Sequence, residues 1–123
     1  MALKEYVGAT AVEIDGRDYD VVSFSVKRQT GRKIVKTMNR TGRAAGTCRG
    51  VETYEINLTA AIPVNEDPDW IGVLGAKMTT EPIGGGKRKS YLDCVVIDQS
   101  EKYTVDNEAQ IDVNMIALRC VEE

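Results

Sequence analysis

Few side chains in this sequence are of the types that catalysis needs. The chain has no histidine, the usual general base and the usual activator of a nucleophile. Its three cysteines, Cys48, Cys94 and Cys120, are far apart, which fits free thiols better than a disulfide framework or a zinc site. Carboxylates such as Asp93 and Asp98 have no spacing that selects a catalytic pair. We therefore expect a protein that is not an enzyme, with no metal and no cofactor.

A glycine-rich segment at residues 84–90, GGGKRKS, shares part of the pattern of a phosphate-binding loop. That pattern requires an earlier glycine, but Glu81 and Pro82 occupy the region, and Lys87 is not followed by serine or threonine. Consecutive glycines between two apolar runs are typical of a hairpin turn. We therefore expect a turn here, and no nucleotide site.

The strongest candidate for a binding surface is the segment 27–50, KRQTGRKIVKTMNRTGRAAGTCRG. It holds eight of the sixteen cationic residues of the chain, and no acidic residue occurs between Asp20 and Glu52. Such a run repels itself and needs an anionic partner. Its glycines and its lack of a sizeable apolar cluster predict a long, mobile surface loop in the isolated chain.

The last third of the chain carries the opposite charge. Residues 93–123 contain eight acids and two bases, a net charge of −6 (−8 + 2), whereas segment 27–50 has a net charge of +8. The basic loop of one copy could therefore contact the acidic surface of another, and such a head-to-tail contact builds rings or filaments. An ordinary mixture of surface charges explains the same counts equally well.

Most of the chain has the pattern of β-strands. Residues 10–14 and 19–26 flank the turn Asp15-Gly16, and a change of parity predicts a bulge near Val21-Val22. Further strands are expected at 51–62, 77–83, 89–98, 103–105 and 107–119. The 89–98 strand is apolar on both faces, which indicates a central position in the sheet.

One short helix is expected at about residues 67–75. Asp67 would be its N-cap and Pro68 its first residue, and Trp70 would fill the core at one end of the sheet. We predict a single, mostly β domain over residues 1–123: an antiparallel β-sandwich or barrel with one short flanking helix and a long basic loop. No stretch approaches the roughly 18–20 apolar residues that span a bilayer, so no membrane partner is expected.

Two of the predicted strands have one polar face each. Along strands 51–62 and 107–119, polar and apolar residues alternate, so the polar side chains must point away from the core. These seven residues are Thr53, Glu55, Asn57, Thr59, Gln110, Asp112 and Asn114.

A small nucleic-acid-binding β-barrel is the main alternative. The cations of segment 27–50 can neutralise phosphates, and Tyr54, Tyr91 and Tyr103 could offer stacking faces. However, the chain has a net charge of −3 and no aromatic residue within the basic segment. A basic patch supplies the charge that nucleic-acid binding needs, but it does not indicate a nucleic-acid-binding fold. The alternative therefore stays open.

The order of the elements resembles that of bacteriophage tail tube proteins. The resemblance rests on the N-terminal hairpin VEIDGRDY, the long basic loop, the strand ETYEINLT, a helix that starts with Asp-Trp, and a closing strand pair over residues 93–118. It covers nearly the whole chain. Type VI secretion tubes share the same general architecture, and the residues do not separate these relatives.

The resemblance implies a structural subunit without catalytic residues. It implies hexameric rings whose inner sheets join around a lumen for DNA, and rings that stack head to tail through the long loop. The implied partners are other copies of the chain and other tail proteins such as sheath, tape measure and terminator, while DNA passes without specific binding. The implied location is the tail of a virion, after assembly in the host cytoplasm. A tube of a phage-derived secretion or bacteriocin particle is the alternative within this class.

The resemblance also gives expected roles to the residues above. The stacking contact would use the cations Arg28, Arg32, Lys33, Lys36, Arg40 and Arg43. The seven polar strand residues would line the lumen, because none of them is Lys or Arg and a wall without cations lets phosphates slide. The outer surface of the tube is the competing location for them.

Overall fold

A computed structural model describes residues 3–64 and 69–122 of the chain. These residues form ten β-strands, and none of them is in a helix. The strands are β1 Thr10–Ile14, β2 Arg17–Tyr19, β3 Val21–Gln29, β4 Lys33–Val35, β5 Gly46–Cys48, β6 Thr53–Ala61, β7 Leu74–Pro82, β8 Lys89–Lys102, β9 Gln110–Ala117 and β10 Arg119–Glu122. The expected mostly β composition is therefore confirmed.

Eight strands make one antiparallel sheet, as expected, and this sheet curls into a half-barrel where a sandwich or barrel was expected. Seven of them follow the order β2-β1-β7-β8-β9-β6-β3, and β10 pairs with the first part of β8. Strands β4 and β5 form a separate two-stranded sheet. A curled sheet of this kind needs only one apolar face, because its own curvature encloses the core.

The core lies on one face of the curled sheet and follows the predicted alternation. In β6 and β9, Ile56 is opposite Met115 and Leu58 is opposite Val113, and all four side chains are buried. Burying a side chain of this size contributes about 1.5–3 kcal/mol each. The period-2 pattern of these two strands thus identified the core residues correctly.

Strand β8 lies between β7 and β9, as its apolar character predicted. It continues to Lys102, four residues beyond the expected end at residue 98, while residues 103–105, where a strand was expected, lie outside any strand, with a bend at Val105. The turn Asp15-Gly16 joins β1 to β2 with φ angles of 52° and 82° at these two residues, the backbone that tight hairpins favour. A register shift between Val21 and Ser23 confirms the predicted bulge.

The expected helix is absent from the described part of its range. Residues 69–73 form a bend and a turn, the Val73 amide donates to the Trp70 carbonyl (3.1 Å), and β7 already begins at Leu74. The expected cap and first residue, Asp67 and Pro68, lie outside the described residues. The Val73 carbonyl accepts a hydrogen bond from the Val96 amide (3.4 Å), and the ladder with β8 begins at Leu74, whereas a helix of two turns is costly to nucleate.

The single tryptophan is nevertheless in the core, as predicted. Trp70 is 2% exposed, and its ring packs at a tilt against Tyr19 with 5.0 Å between ring centroids. The turn that presents it is closed by the Asp69 carboxylate, which accepts a hydrogen bond from the Gly72 amide at 3.2 Å. An aspartate side chain was expected to cap a helix here, and in the structure Asp69 caps a turn.

Candidate assembly surfaces

The basic segment 27–50 is a hairpin, where the sequence predicted a structureless loop. Its first three residues belong to β3, which pairs with β6 as far as Gln29 opposite Thr53. The chain then forms the β4–β5 ladder, with Ile34 opposite Thr47. We call residues 30–50 the basic hairpin. Every residue from 32 to 50 is exposed, so this element has no hydrophobic core of its own.

One side chain organises the tip of the basic hairpin. The Asn39 amide nitrogen donates to the Arg43 carbonyl (2.8 Å), and its amide oxygen accepts from the Thr41 hydroxyl (2.7 Å) and the Gly42 amide (3.0 Å). Asparagine and glycine often make such turns, because a short polar side chain can replace a backbone partner. The sequence analysis did not predict this turn, although the run Asn-Arg-Thr-Gly at residues 39–42 is typical of one.

Two glycines form the base of the basic hairpin. A Cβ atom on Gly31 would overlap the Val51 backbone, and one on Gly50 would overlap the Gly31 carbonyl. Gly31 also has φ of +74°, where a side chain is strained. The two arms of the hairpin therefore approach as closely as they do only because both positions lack a side chain.

Arg28 already has partners within its own subunit. Its Nε donates to Glu52 Oε1 at 2.6 Å, the Tyr54 hydroxyl donates to the same oxygen at 3.1 Å, and the guanidinium lies 5.6 Å from the Tyr54 ring centre. The hydrogen bond from Arg28 lowers the pKa of Glu52 below its usual value. By contrast, the described carboxylates make no ion pair with the other five predicted contact cations, Arg32, Lys33, Lys36, Arg40 and Arg43.

The structure brings the seven polar strand residues onto one face of the sheet. In the β6–β9 register, Asn57 is opposite Asn114 and Thr59 is opposite Asp112, and the Thr59 hydroxyl donates to Asp112 Oδ1 at 2.7 Å. Residues directly opposite each other in a ladder share a face. We call this surface the polar face; it lies on the side of the sheet away from the core.

The polar face is wider than the sequence indicated. Strand β3 adds Ser23 and Ser25, and β8 adds Asp98, which accepts a hydrogen bond from the Asn114 amide at 2.6 Å. A shallow depression in its centre is lined by seven residues with hydroxyl, amide or carboxylate side chains and by the apolar residues Phe24, Leu58 and Val113. These additional residues belong to the polar face because β3 pairs with β6 and β8 pairs with β9, and the sequence did not predict either pairing.

Two lysines also lie on the polar face. Lys27 of β3 is opposite Glu55 of β6, and Lys102 of β8 is opposite Gln110 of β9. The seven residues considered from sequence contain no cation, but the face that they share does. Its local charge is therefore closer to neutral than those seven residues suggested.

The basic hairpin and the acidic end of β8 lie at opposite ends of the sheet. Thr53, next to the hairpin, begins β6, while Ala61 at the other end of β6 is opposite Gln110, which follows the β8–β9 turn. Nine residues of β6 separate the two ends, a distance of roughly 30 Å. We call residues 101–108 the acidic turn; they contain three acids and one base, and all are exposed.

Part of the negative charge of the C-terminal third is neutralised within the subunit. Arg119 Nη2 lies 3.1 Å from Asp93 Oδ2, and Glu122 lies within 3.8 and 4.0 Å of Lys87 and Lys89. The described ion pairs do not include the acids of the acidic turn. Asp98 and Asp112 on the polar face are also outside these ion pairs, so the negative charge left for an outside partner is divided between the acidic turn and the polar face.

No group of three or more metal-ligating side chains occurs within residues 3–64 and 69–122. In the same part of the chain, no helical segment is present that could traverse a lipid bilayer. The surfaces that the described residues offer include the basic hairpin, the acidic turn, the polar face and the free edge of β3.

The arrangement of strands matches solved structures of a tube terminator and a tail tube. The chain superimposes on the sheath/tube terminator of an extracellular contractile injection system, PVC, with a TM-score of 0.75 and 12% identity, over 99% of this chain and 98% of that one. It also matches the SPP1 tail tube, with a TM-score of 0.67 and 9% identity, over 92% and 76% of the two chains. This chain has the tail tube fold.

A further solved structure has a similar fold. Hcp1 from Flavobacterium johnsoniae matches with a TM-score of 0.54 and 14% identity, over 92% of this chain and 93% of that one. These neighbours are tube and terminator proteins, not enzymes, which agrees with the expectation of a non-enzyme. The sequence matches no protein-family model, and a search of curated proteins finds no significant match.

Proposed function

We propose that this protein is a structural subunit of a tail tube in a phage or a phage-derived particle. Hexameric rings of it stack head to tail into a hollow tube that conducts DNA during ejection. The observation that carries the proposal is the tail tube fold, which extends over nearly the whole chain. The protein would be located in the tail of the virion, after assembly in the host cytoplasm, next to sheath, tape measure and terminator proteins.

A free strand edge supports closure into a ring. Within the described residues β3 pairs only with β6, so the other edge of its nine residues exposes unpaired backbone groups. Long free edges are a hazard for a monomer, because they template aggregation. A neighbouring copy that pairs with β3 would complete these hydrogen bonds and continue the sheet around a lumen.

The charge distribution supports stacking of rings through the basic hairpin. An element without a core, with five cations that lack a described ion-pair partner, gains stability when it docks on another surface. The contact residues proposed are Arg32, Lys33, Lys36, Arg40 and Arg43. Arg28, which the resemblance also suggested, would instead support the base of the hairpin through Glu52.

The polar face is the proposed wall of the lumen. Its hydroxyl and amide side chains, with few and partly balanced charges, would attract phosphate only weakly, so DNA could slide past. The residues are Thr53, Glu55, Asn57, Thr59, Gln110, Asp112 and Asn114.

Electron microscopy of the purified protein at high concentration tests the proposal. We expect rings and hollow tubes. Strictly monomeric behaviour in sedimentation, with and without a crowding agent, would contradict it. Tight binding of short DNA by such a monomer, with an affinity that falls steeply with salt, would favour the nucleic-acid-binding alternative.

A tube terminator is a second candidate. The PVC terminator and the anti-feeding prophage cap both match with TM-scores of 0.75, against 0.68 for a chain of the PVC sheath-tube complex. A terminator would form one ring and stop, because it must not accept further rings. Single rings that never lengthen in the microscopy experiment, but bind the end of a preformed tube, would favour this role.

A further inference from the structure

We propose that the acidic turn is the surface that receives the basic hairpin of the next subunit in the stack. The inference rests on the proposed tube function and identifies the partner of the hairpin within it. Because the two elements lie at opposite ends of the sheet, each copy offers one to the ring above and the other to the ring below. Identical subunits could therefore repeat the same contact without limit.

The exposed apolar side chains of the two elements indicate a protein as the partner. In the basic hairpin, Met38 is fully exposed and Ile34 is 53% exposed; in the acidic turn, Val105 is fully exposed and Tyr103 is 68% exposed. Protein interfaces bury an apolar centre within a polar rim. Phosphates would use the cations of the hairpin and leave its aliphatic side chains in water.

Charge fits the same pair of surfaces. The cations next to Ile34 and Met38 are Lys33 and Lys36, while Asp106 and Glu108 follow Val105 in the acidic turn. Each element therefore combines exposed apolar side chains with a net charge, and the two net charges have opposite signs: the basic hairpin has no acid, and the acidic turn has three acids and one base. Opposite charges at the rim orient the contact and disfavour head-to-head pairing, in which like charges would meet.

A charge-swap series tests the proposal. We expect Lys33→Glu with Lys36→Glu, and separately Asp106→Lys with Glu108→Lys, to raise the protein concentration needed for tube formation by at least about tenfold, because like charges then face each other. The chain that carries all four substitutions should recover tubes. A matched control is Glu5→Lys with Glu81→Lys, which changes net charge as much as the acidic-turn variant but leaves the turn intact.

The apolar part of the contact is tested by Met38→Ser and Val105→Ser. Both side chains are fully exposed in the single subunit, so neither change should alter its thermal unfolding, while each should weaken stacking. Normal tubes from Asp106→Lys with Glu108→Lys, or no recovery in the four-substitution chain, would overturn the assignment of the acidic turn. Failure of the unmodified protein to form tubes would instead count against the proposed function itself.

Discussion

At the scale of single residues, the three thiols differ in accessibility. Cys48 in β5 is exposed, Cys94 is buried, and Cys120 is partly buried. Burial raises the pKa of Cys94 from 9.0 to about 11 and also raises the pKa of Cys120. Because the thiolate is the nucleophile, the buried Cys94 should react slowly at pH 8.

We therefore predict one fast-reacting thiol per chain. A chromogenic disulfide reagent at pH 8 should modify Cys48 rapidly, and Cys48→Ser should remove that phase. In assembled tubes the fast phase should slow strongly, since Cys48 lies in the basic hairpin that would be covered by stacking. Equal reactivity of Cys48 in free subunits and in tubes would mean that this part of the hairpin stays open to solvent.

At the scale of elements, the base of the basic hairpin depends on Gly50. A Cβ at this position would meet the Gly31 carbonyl, whereas a Cβ on Gly46 of β5 would meet nothing within 4 Å. We predict that Gly50→Ala displaces the hairpin and prevents tubes, while Gly46→Ala assembles normally.

The subunit itself should tolerate both changes, because the hairpin contributes nothing to the buried core. Urea unfolding of the two variants should therefore differ from that of the unmodified protein by less than about 1 kcal/mol. If Gly50→Ala forms tubes as readily as Gly46→Ala, the orientation of the hairpin does not control stacking. A large loss of subunit stability would show instead that the hairpin base belongs to the folded domain.

At the scale of the whole molecule, the charges of the polar face determine how strongly a lumen lined by it would attract DNA. Glu55 and Asp112 contribute two of its negative charges, next to the positive charges of Lys27 and Lys102. We predict that Glu55→Lys with Asp112→Lys leaves tubes that assemble but release DNA slowly, because fixed cations that face phosphates raise the barrier to sliding.

DNA ejection from particles built with this variant measures the effect, and Glu5→Lys with Glu81→Lys again controls for net charge. Unchanged ejection rates would remove the electrostatic part of the lumen proposal. A structure of the tube that places Glu55 and Asp112 on its exterior would remove the assignment of the polar face altogether.

The sequence by itself determined the local features of this protein. Alternation in β6 and β9 identified Ile56, Leu58, Val113 and Met115 as core residues, because period 2 follows directly from strand geometry. Asp15-Gly16 predicted its hairpin, since few other residues accept positive φ. The order of the elements was enough to suggest the tail tube fold.

Features that depend on pairing between distant segments could be seen only in the tertiary structure. The continuation of β7 from Leu74 replaced the expected helix, because a ladder with β8 competes with local helix signals that span only two turns. Pairing also placed Lys27 and Lys102 on the polar face, and it put the basic hairpin and the acidic turn at opposite ends of the sheet. Strand order and register link residues far apart in the chain, and a local pattern contains no information about which strands will be neighbours.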